Sequence, residues 1–405
     1  MLIQEKVRQA KALLNEQNID CWLTFTRESS INGDPVLPFL NGANVTWHSA
    51  FIICADGRTV AIVGKYDRQT TLDTGAYDEV IGFVTGIREP LQQVMRRLNP
   101  KHIAVNYSED SEICDGLTHG MFLTLQRLLA EIGFADRLVS AEQLVSALRE
   151  QKTESELTSI RSAVCQGQDI LLAVGHFIRP GVCEREIAEW MQNEVRKRGL
   201  EFAWDLETCP SVFTGPDTAE AHYAPGSRRV EVGHLVTMDF GVRVDHYCSD
   251  LQRTYYILRP GENSAPDGVI KGFATIVQAI AQAKAAIRPG VQGHEIDAIA
   301  RSIVTGAGYE PFPFGLGHQV GRYAHDGTAL LGPAWEKYAG KPFRPLAPGM
   351  VFTIEPRLTV PEHGIVSIEE MVQVTADGCE WLSAPQREIF LIDTGGKRKK
   401  KEERP

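Results

Sequence analysis

The pentapeptide I-R-P-G-V at residues 178–182 recurs at residues 287–291, and the same offset of 109 residues maps Glu186 and Ile187 onto Glu295 and Ile296, Gly199 onto Gly308 and Glu201 onto Glu310. One Arg-Pro-Gly turn is commonplace; a set of positions sharing one offset marks a duplicated unit. Each copy reads as a helix end, a Pro-Gly turn, a second helix and a glycine stop, followed by strand-like, turn-rich sequence. A domain built from two such halves is expected to have pseudo-twofold symmetry. It would place a site between the halves, with ligands drawn from both.

The chain is longer than this duplication needs. Its 405 residues exceed one ordinary core, and residues 1–151 read as a separate small α/β domain. An amphipathic helix opens it, and a short apolar strand follows at 21–25. Segments 49–54 and 59–63 flank Asp56-Gly57, a strong hairpin signal. Another strand is expected at 102–106 and a helix at 117–132. The charged, helical stretch from about 141 to 174 carries the boundary, near residue 152. The duplicated domain then runs over 152–394, and residues 395–405 form a basic tail expected to be disordered.

Composition narrows the class. A net charge of −10 argues against a general nucleic-acid binder. No apolar run approaches the length of a membrane span, and the charged N-terminus is not a signal peptide. Eight cysteines stand singly with no C-x-x-C pair, as expected of reduced thiols in a cytoplasmic protein.

Four apolar strand patterns each hold an acid where a core residue is expected: L-V-T-M-D-F-G with Asp239, Y-C-S-D-L-Q-R-T with Asp250, V-F-T-I-E-P with Glu355, and I-V-S-I-E-E-M-V with Glu369 and Glu370. Isolated buried carboxylates are costly, so such acids are normally paired or bound to metal. The first half of the repeat offers Asp239 and Asp250; the second offers Glu355 and Glu369 or Glu370. Between them, G-L-G-H-Q-V-G displays His318. Several carboxylates and one imidazole suit a pair of divalent ions such as Mn, Co, Fe or Zn.

On these motifs the chain resembles the creatinase/prolidase/aminopeptidase P family, specifically over residues 200–380 and only in architecture over 1–150. The resemblance implies an α+β chain: a creatinase-like N-terminal α/β domain, then a pita-bread domain with the internal pseudo-twofold repeat. It implies two divalent ions, most readily Mn, held by Asp239, Asp250, His318, Glu355 and Glu369. Asp250 and Glu369 would bridge both ions, Asp239 would complete one site, and His318 and Glu355 the other. Glu355 would also be general base toward the bridging water. The family pattern favours Glu369 over Glu370 as ligand, with Glu370 on the opposite strand face. His222 and His325 would sit over the metals, binding substrate and stabilising the tetrahedral intermediate or the leaving nitrogen. Arg253, beside the second Asp, would support ligands from behind. The implied reaction is hydrolysis of the X-Pro bond in dipeptides or short peptides by attack of a metal-bridging hydroxide, in a cytoplasmic homodimer whose N-terminal domain restricts substrates to short peptides.

The chain departs from the pattern around the pocket. Ser367 stands where the family often has Arg, and Arg357 where Gly usually follows T-I-E-P; Arg357 could supply the missing guanidinium from the neighbouring strand. Pro313 precedes Phe314 and Gly315 where prolidases commonly have His, and 331–338 is not the usual short loop. These changes leave open a metal-dependent hydrolase or lyase of a small non-peptide substrate, or a non-catalytic binding module. No H-E-x-x-H, G-x-S-x-G or P-loop motif points elsewhere.

Overall fold

A computed structural model describes residues 2–109, 111–217 and 223–393. The basic tail expected at 395–405 lies outside them. The chain divides into two compact units between Ser155 and Glu156.

The first unit is a six-stranded sheet. Its strands are β1 (Cys21–Thr26), β2 (Ser49–Cys54), β3 (Thr59–Gly64), β4 (Glu79–Phe83), β5 (Ile103–Val105) and β6 (Leu138–Ser140), in the spatial order β4-β3-β2-β1-β5-β6. The hairpin expected around Asp56-Gly57 joins β2 to β3, with Gly57 at φ +95°. Alternation along β1 feeds two cores. Trp22 packs with Leu14, Phe39 and Leu148 on one face, whereas Cys21, Leu23 and Phe25 pack with Leu91, Met95 and Leu129 on the other. Both faces are covered, so β1, β2 and β3 are buried along their whole length.

A buried polar knot closes this unit. Trp22 Nε1 donates to Asn106 Oδ1 (2.6 Å), Asn106 Nδ2 donates to Asp34 Oδ2 (2.8 Å), and the Val36 N–H donates to Asp34 Oδ1 (3.0 Å). Gly116 is pressed against the same carboxylate.

In the second unit both copies of the repeat fold alike locally. Helix Glu154–Ala173 and a 3-10 turn precede the first copy, and helix Asp267–Ala286 precedes the second; helices Glu184–Lys197 and Gly293–Gly306 follow them. Gly181 (φ +90°) and Gly290 (φ +86°) make the left-handed turns between helices. Glu186 then accepts the Cys183 N–H at 2.8 Å, and Glu295 accepts the Gln292 N–H at 3.1 Å, so the same carboxylate cap starts the second helix in each copy.

The strands of this unit are β7 (Glu201–Phe202), β8 (Ser211–Thr214), β9 (Leu235–Phe240), β10 (Val242–Val244), β11 (Tyr247–Cys248), β12 (Leu251–Ile257), β13 (Gly317–His318), β14 (Leu330–Leu331), β15 (Val351–Ile354), β16 (Arg357–Val360), β17 (Gly364–Ser367), β18 (Glu370–Val374), β19 (Cys379–Trp381) and β20 (Phe390–Ile392). They pair as β20-β12-β9-β8, β15-β18-β19, β11-β10-β7, β16-β17 and β13-β14. Single bridges, Gln252 to Glu369 and Gln319 to Phe352, stitch neighbouring sheets together. The second repeat's helices pack Phe273, Ile276, Ile280, Ile296 and Ala300 onto Phe352, Ile354, Val372 and Val374. Among the described residues no helix is long and apolar enough to cross a membrane.

A Cβ built on Gly116 would lie 1.9 Å from Asp34 Oδ2, whereas one on Gly120 meets nothing within 4 Å. Gly116→Ala is therefore expected to destabilise the protein by about 1–3 kcal/mol or more in urea denaturation. Gly120→Ala, inside helix His119–Ala130, should be neutral or stabilising.

Candidate metal centre

The acids picked out in the sequence sit at strand ends, where the backbone is pinned but the side chain need not enter an apolar layer. Asp239 is the penultimate residue of β9, Asp250 immediately precedes β12, Glu355 immediately follows β15, and Glu369 immediately precedes β18. In the β9–β12 pair Gln252 stands opposite Asp239. The Gln252–Glu369 bridge, with backbone hydrogen bonds of 3.4 and 3.2 Å, brings the fourth segment alongside.

His318 is brought in by a strand of two residues, and glycine permits it. A Cβ at Gly317 would fall 2.0 Å from the Thr353 carbonyl oxygen. With none there, His318 N–H donates to Thr353 Oγ1 (3.0 Å) and Glu355 N–H donates to the Leu316 carbonyl (2.7 Å). The approach to His318 is clamped from the second repeat's helix. Arg301, paired with Asp297 at 2.8 Å, donates to the carbonyls of Phe312 (2.6 Å) and Phe314 (2.8 Å), and Asp297 Oδ1 accepts the Leu316 N–H (3.1 Å).

The resulting cluster is tight. His318 Nε2 lies 3.3 Å from Glu355 Oε1, 3.8 Å from Asp250 Oδ2 and 3.9 Å from Glu369 Oε1. Ligand atoms of Asp250, His318 and Glu369 all lie within 4.8 Å of one another. His325 returns over this cluster, its ring 4.1 Å from that of His318. The turn between them is tied by Asp326, whose N–H donates to the Gln319 carbonyl (2.9 Å) and whose Oδ2 accepts the Arg322 N–H (2.6 Å).

Among the described residues the ion-pair partner of Asp250 and Glu369 is His318, with no lysine or arginine. Asp250 is 5% exposed and Glu369 1% exposed. Asp239 Oδ1 and both carboxylate oxygens of Glu369 are buried without a hydrogen-bond partner. Burial, then the charge of Glu355, pushes the Asp239 carboxyl up to about 7. Burial, then Asp239 and Glu355, drives Asp250 well above the carboxylate range; burial, then Asp250 and Glu355, does the same to Glu369. Hard oxygen donors with open lone pairs, one imidazole and a surplus of negative charge fit divalent cations.

The remaining candidates fall in different places. Glu370 faces away from the cluster: its carboxylate takes Arg253 Nη2 at 3.1 Å, the Ser383 hydroxyl and the Gln386 N–H at 2.8 Å. Arg253 also donates to the Glu369 carbonyl at 2.9 Å, bracing that ligand through its backbone. Arg357 opens β16 directly opposite Ser367. His222 lies outside the described residues. Sequence reasoning passed over Gln252, whose amide donates to Glu355 Oε2 at 3.1 Å, and Thr353, whose hydroxyl accepts the His318 N–H. The available signal was position: each is a polar residue two places from a ligand, on the same face of an apolar strand.

With the geometry in hand, comparison with known proteins places the chain. Residues 158–376 match a family model described as metallopeptidase family M24. An uncharacterized peptidase of Staphylococcus haemolyticus is 34% identical over 244 residues, which span 60% of this chain and 65% of that protein. The crystal structure of an X-Pro aminopeptidase from Thermotoga maritima superposes with a TM-score of 0.72 at 25% identity, over 95% of this chain and 100% of that one. An Xaa-Pro dipeptidase from Bacillus anthracis shares the fold with the same TM-score of 0.72 at 24% identity, over 96% and 99% of the two chains.

The raised carboxyls have a consequence for the metal-free protein. A group held near 7 in the folded state keeps its proton where the unfolded chain, near 3.8, has lost it. The unfolded state then binds fewer protons, so stability falls as pH rises from about 4 to about 7. Urea denaturation of chelator-treated protein should show that fall. It should be smaller in Asp239→Asn and removed by saturating Mn.

Proposed function

This chain belongs to metallopeptidase family M24, and from that premise we propose that it hydrolyses the X-Pro bond of dipeptides or short peptides with two divalent ions held by Asp239, Asp250, His318, Glu355 and Glu369. The observation that carries the proposal is the cluster of carboxylates around one imidazole, in which Asp239 Oδ1 and both oxygens of Glu369 are buried without a hydrogen-bond partner. Asp250 and Glu369, central and most deeply buried, are assigned to both ions. Asp239 is assigned to one, and His318 with Glu355 to the other. Mn is the favoured metal, with Co, Fe or Zn able to substitute.

When bound, the ions supply Lewis acidity toward the peptide carbonyl and make water acidic enough to be deprotonated near neutral pH. The protein's own groups do the rest. Glu355, half at the edge of the cluster and held by the Gln252 amide, accepts a proton from the attacking water and returns it to the departing imino nitrogen. His325, its ring tilted against that of His318, donates a hydrogen bond to the charge that develops at the carbonyl oxygen or the leaving nitrogen. His222 is assigned the same kind of contact. Arg253 holds the Glu369 backbone in register, and Arg357, opposite Ser367, faces the place where the family often has a guanidinium. The solved structures of the same fold that act on X-Pro substrates support the choice of substrate. All eight cysteines are free, which supports a reducing, cytoplasmic setting.

The test is to strip the protein with a chelator, restore Mn or Co, and follow Ala-Pro, Leu-Pro, Ala-Pro-Ala, a longer X-Pro peptide and Ala-Ala by mass spectrometry. Metal-dependent cleavage of the X-Pro substrates is expected, with Ala-Ala spared and Glu355→Gln slower by about 10²–10⁴-fold. Dipeptide cleavage alone marks a prolidase, and cleavage of longer X-Pro peptides an aminopeptidase P. No cleavage by protein holding two ions would defeat the peptidase reading and direct the search to small non-peptide amides.

A further inference from the structure

Gln252 donates its side-chain amide into the cluster, and its geometry is over-determined. Its backbone is bridged to Glu369 and paired opposite Asp239. Its side chain, 8% exposed, donates from Nε2 to Glu355 Oε2 at 3.1 Å and accepts at Oε1 from the Ser367 hydroxyl at 2.5 Å. The orientation of the amide follows from chemistry. An ionised carboxylate can only accept, so the NH2 must face Glu355, which leaves the carbonyl oxygen for a hydroxyl donor. Ser367 is itself locked: its N–H donates to Thr254 Oγ1 (3.2 Å), and Thr254 Oγ1 donates to the Ser367 carbonyl (2.6 Å).

We infer that Ser367 and Gln252 form a neutral relay that positions the Glu355 carboxylate, taking up its outer oxygen Oε2 so that Oε1 is aimed at His318 and the metal centre. Oε1 is the oxygen 3.3 Å from His318 Nε2, with the Thr353 hydroxyl at 3.5 Å from it, so Gln252 and the imidazole engage different oxygens of Glu355. Ser367 stands where related sequences often carry arginine. The relay does the holding without adding a positive charge next to carboxylates that must bind cations. Gln252 and Ser367 are positioning residues: the relay acts only through Glu355. The inference rests on the proposed function: its kinetic arm on the peptidase reading, and its metal-binding arm only on these residues holding two ions.

The experiment compares Gln252→Ala, Ser367→Ala and the double variant with the parent protein. Two readouts are used: the visible spectrum during titration of the metal-free protein with Co(II), and kcat and KM on the X-Pro substrate with the metal restored. Gln252→Ala is expected to weaken Co(II) binding at one of two sites, with a changed spectrum, and to lower kcat by about 10–100-fold with KM little moved. Ser367→Ala should show the same changes in smaller degree, above about twofold, because it loosens the amide without removing it. The double variant should be no worse than Gln252→Ala alone, since the serine has no effect once its target is gone. A merely structural role would instead lower the melting temperature of the metal-free protein and leave the spectrum and kcat of folded protein unchanged. The inference is overturned if Ser367→Ala leaves both spectrum and kcat within about twofold of the parent, or if the two single effects multiply in the double variant. Ser367→Ala decides the matter alone should Gln252→Ala fail to fold. If the parent cleaves no X-Pro substrate, the peptidase reading fails while the cobalt titration still judges the relay.

Discussion

Four carboxylates gathered around one imidazole repel one another, and Glu355, at 15% side-chain exposure, is the one that keeps an edge to solvent. Asp239, Asp250 and Glu369 have their charged forms opposed first by burial and then by their neighbours. Removing charges from water is tolerated only where an opposite charge replaces the lost solvation. Among the described residues no lysine or arginine pairs with those three. The guanidinium next in sequence, Arg253, is spent on Glu370 and on backbone carbonyls. The cluster is thus built to be completed by cations, and the surrounding structure serves to hold mutually repelling groups together until they arrive.

That holding is done by backbone. Ligands at strand ends inherit the rigidity of β9, β12, β15 and β18 without occupying the apolar layers between them. Gly317 permits the near-contact with Thr353 that places His318. The Asp297–Arg301 pair carries the second repeat's helix into the same task by gripping the chain at Phe312, Phe314 and Leu316. The segment after His325 joins in through Tyr338, whose hydroxyl accepts the Gly315 N–H at 3.0 Å. Tyr338 is thereby tied to the segment that leads into β13, the strand that presents His318.

Much of this was legible in the sequence because it is written in local patterns. The repeated R-P-G turns, the paired carboxylate caps and the Asp-Gly hairpin are short-range features with fixed spacing. An acid in an apolar strand is conspicuous for the cost of burying it. The family, and with it the pita-bread fold and its N-terminal domain, followed from the resemblance carried by the acid and histidine motifs. What stayed hidden depends on contacts between distant segments. β13 is two residues long and has no periodicity to detect. The Gln252–Glu369 bridge joins residues far apart in sequence, so nothing local marks Gln252 as a partner of Glu355. Glu369 and Glu370 are adjacent and alike in residue type; the preference for Glu369 came from the family pattern, and in the structure Glu370 is the one bonded by Arg253 and Ser383.

The central claim is that the buried carboxylates exist to hold cations, and elemental analysis of the purified protein tests it most directly. After dialysis against Mn and removal of loosely bound ions, inductively coupled plasma mass spectrometry should find two Mn per chain, falling to one or none in Glu369→Gln. A folded parent protein that retains no metal, or a Glu369→Gln variant that retains the full complement, would contradict the account.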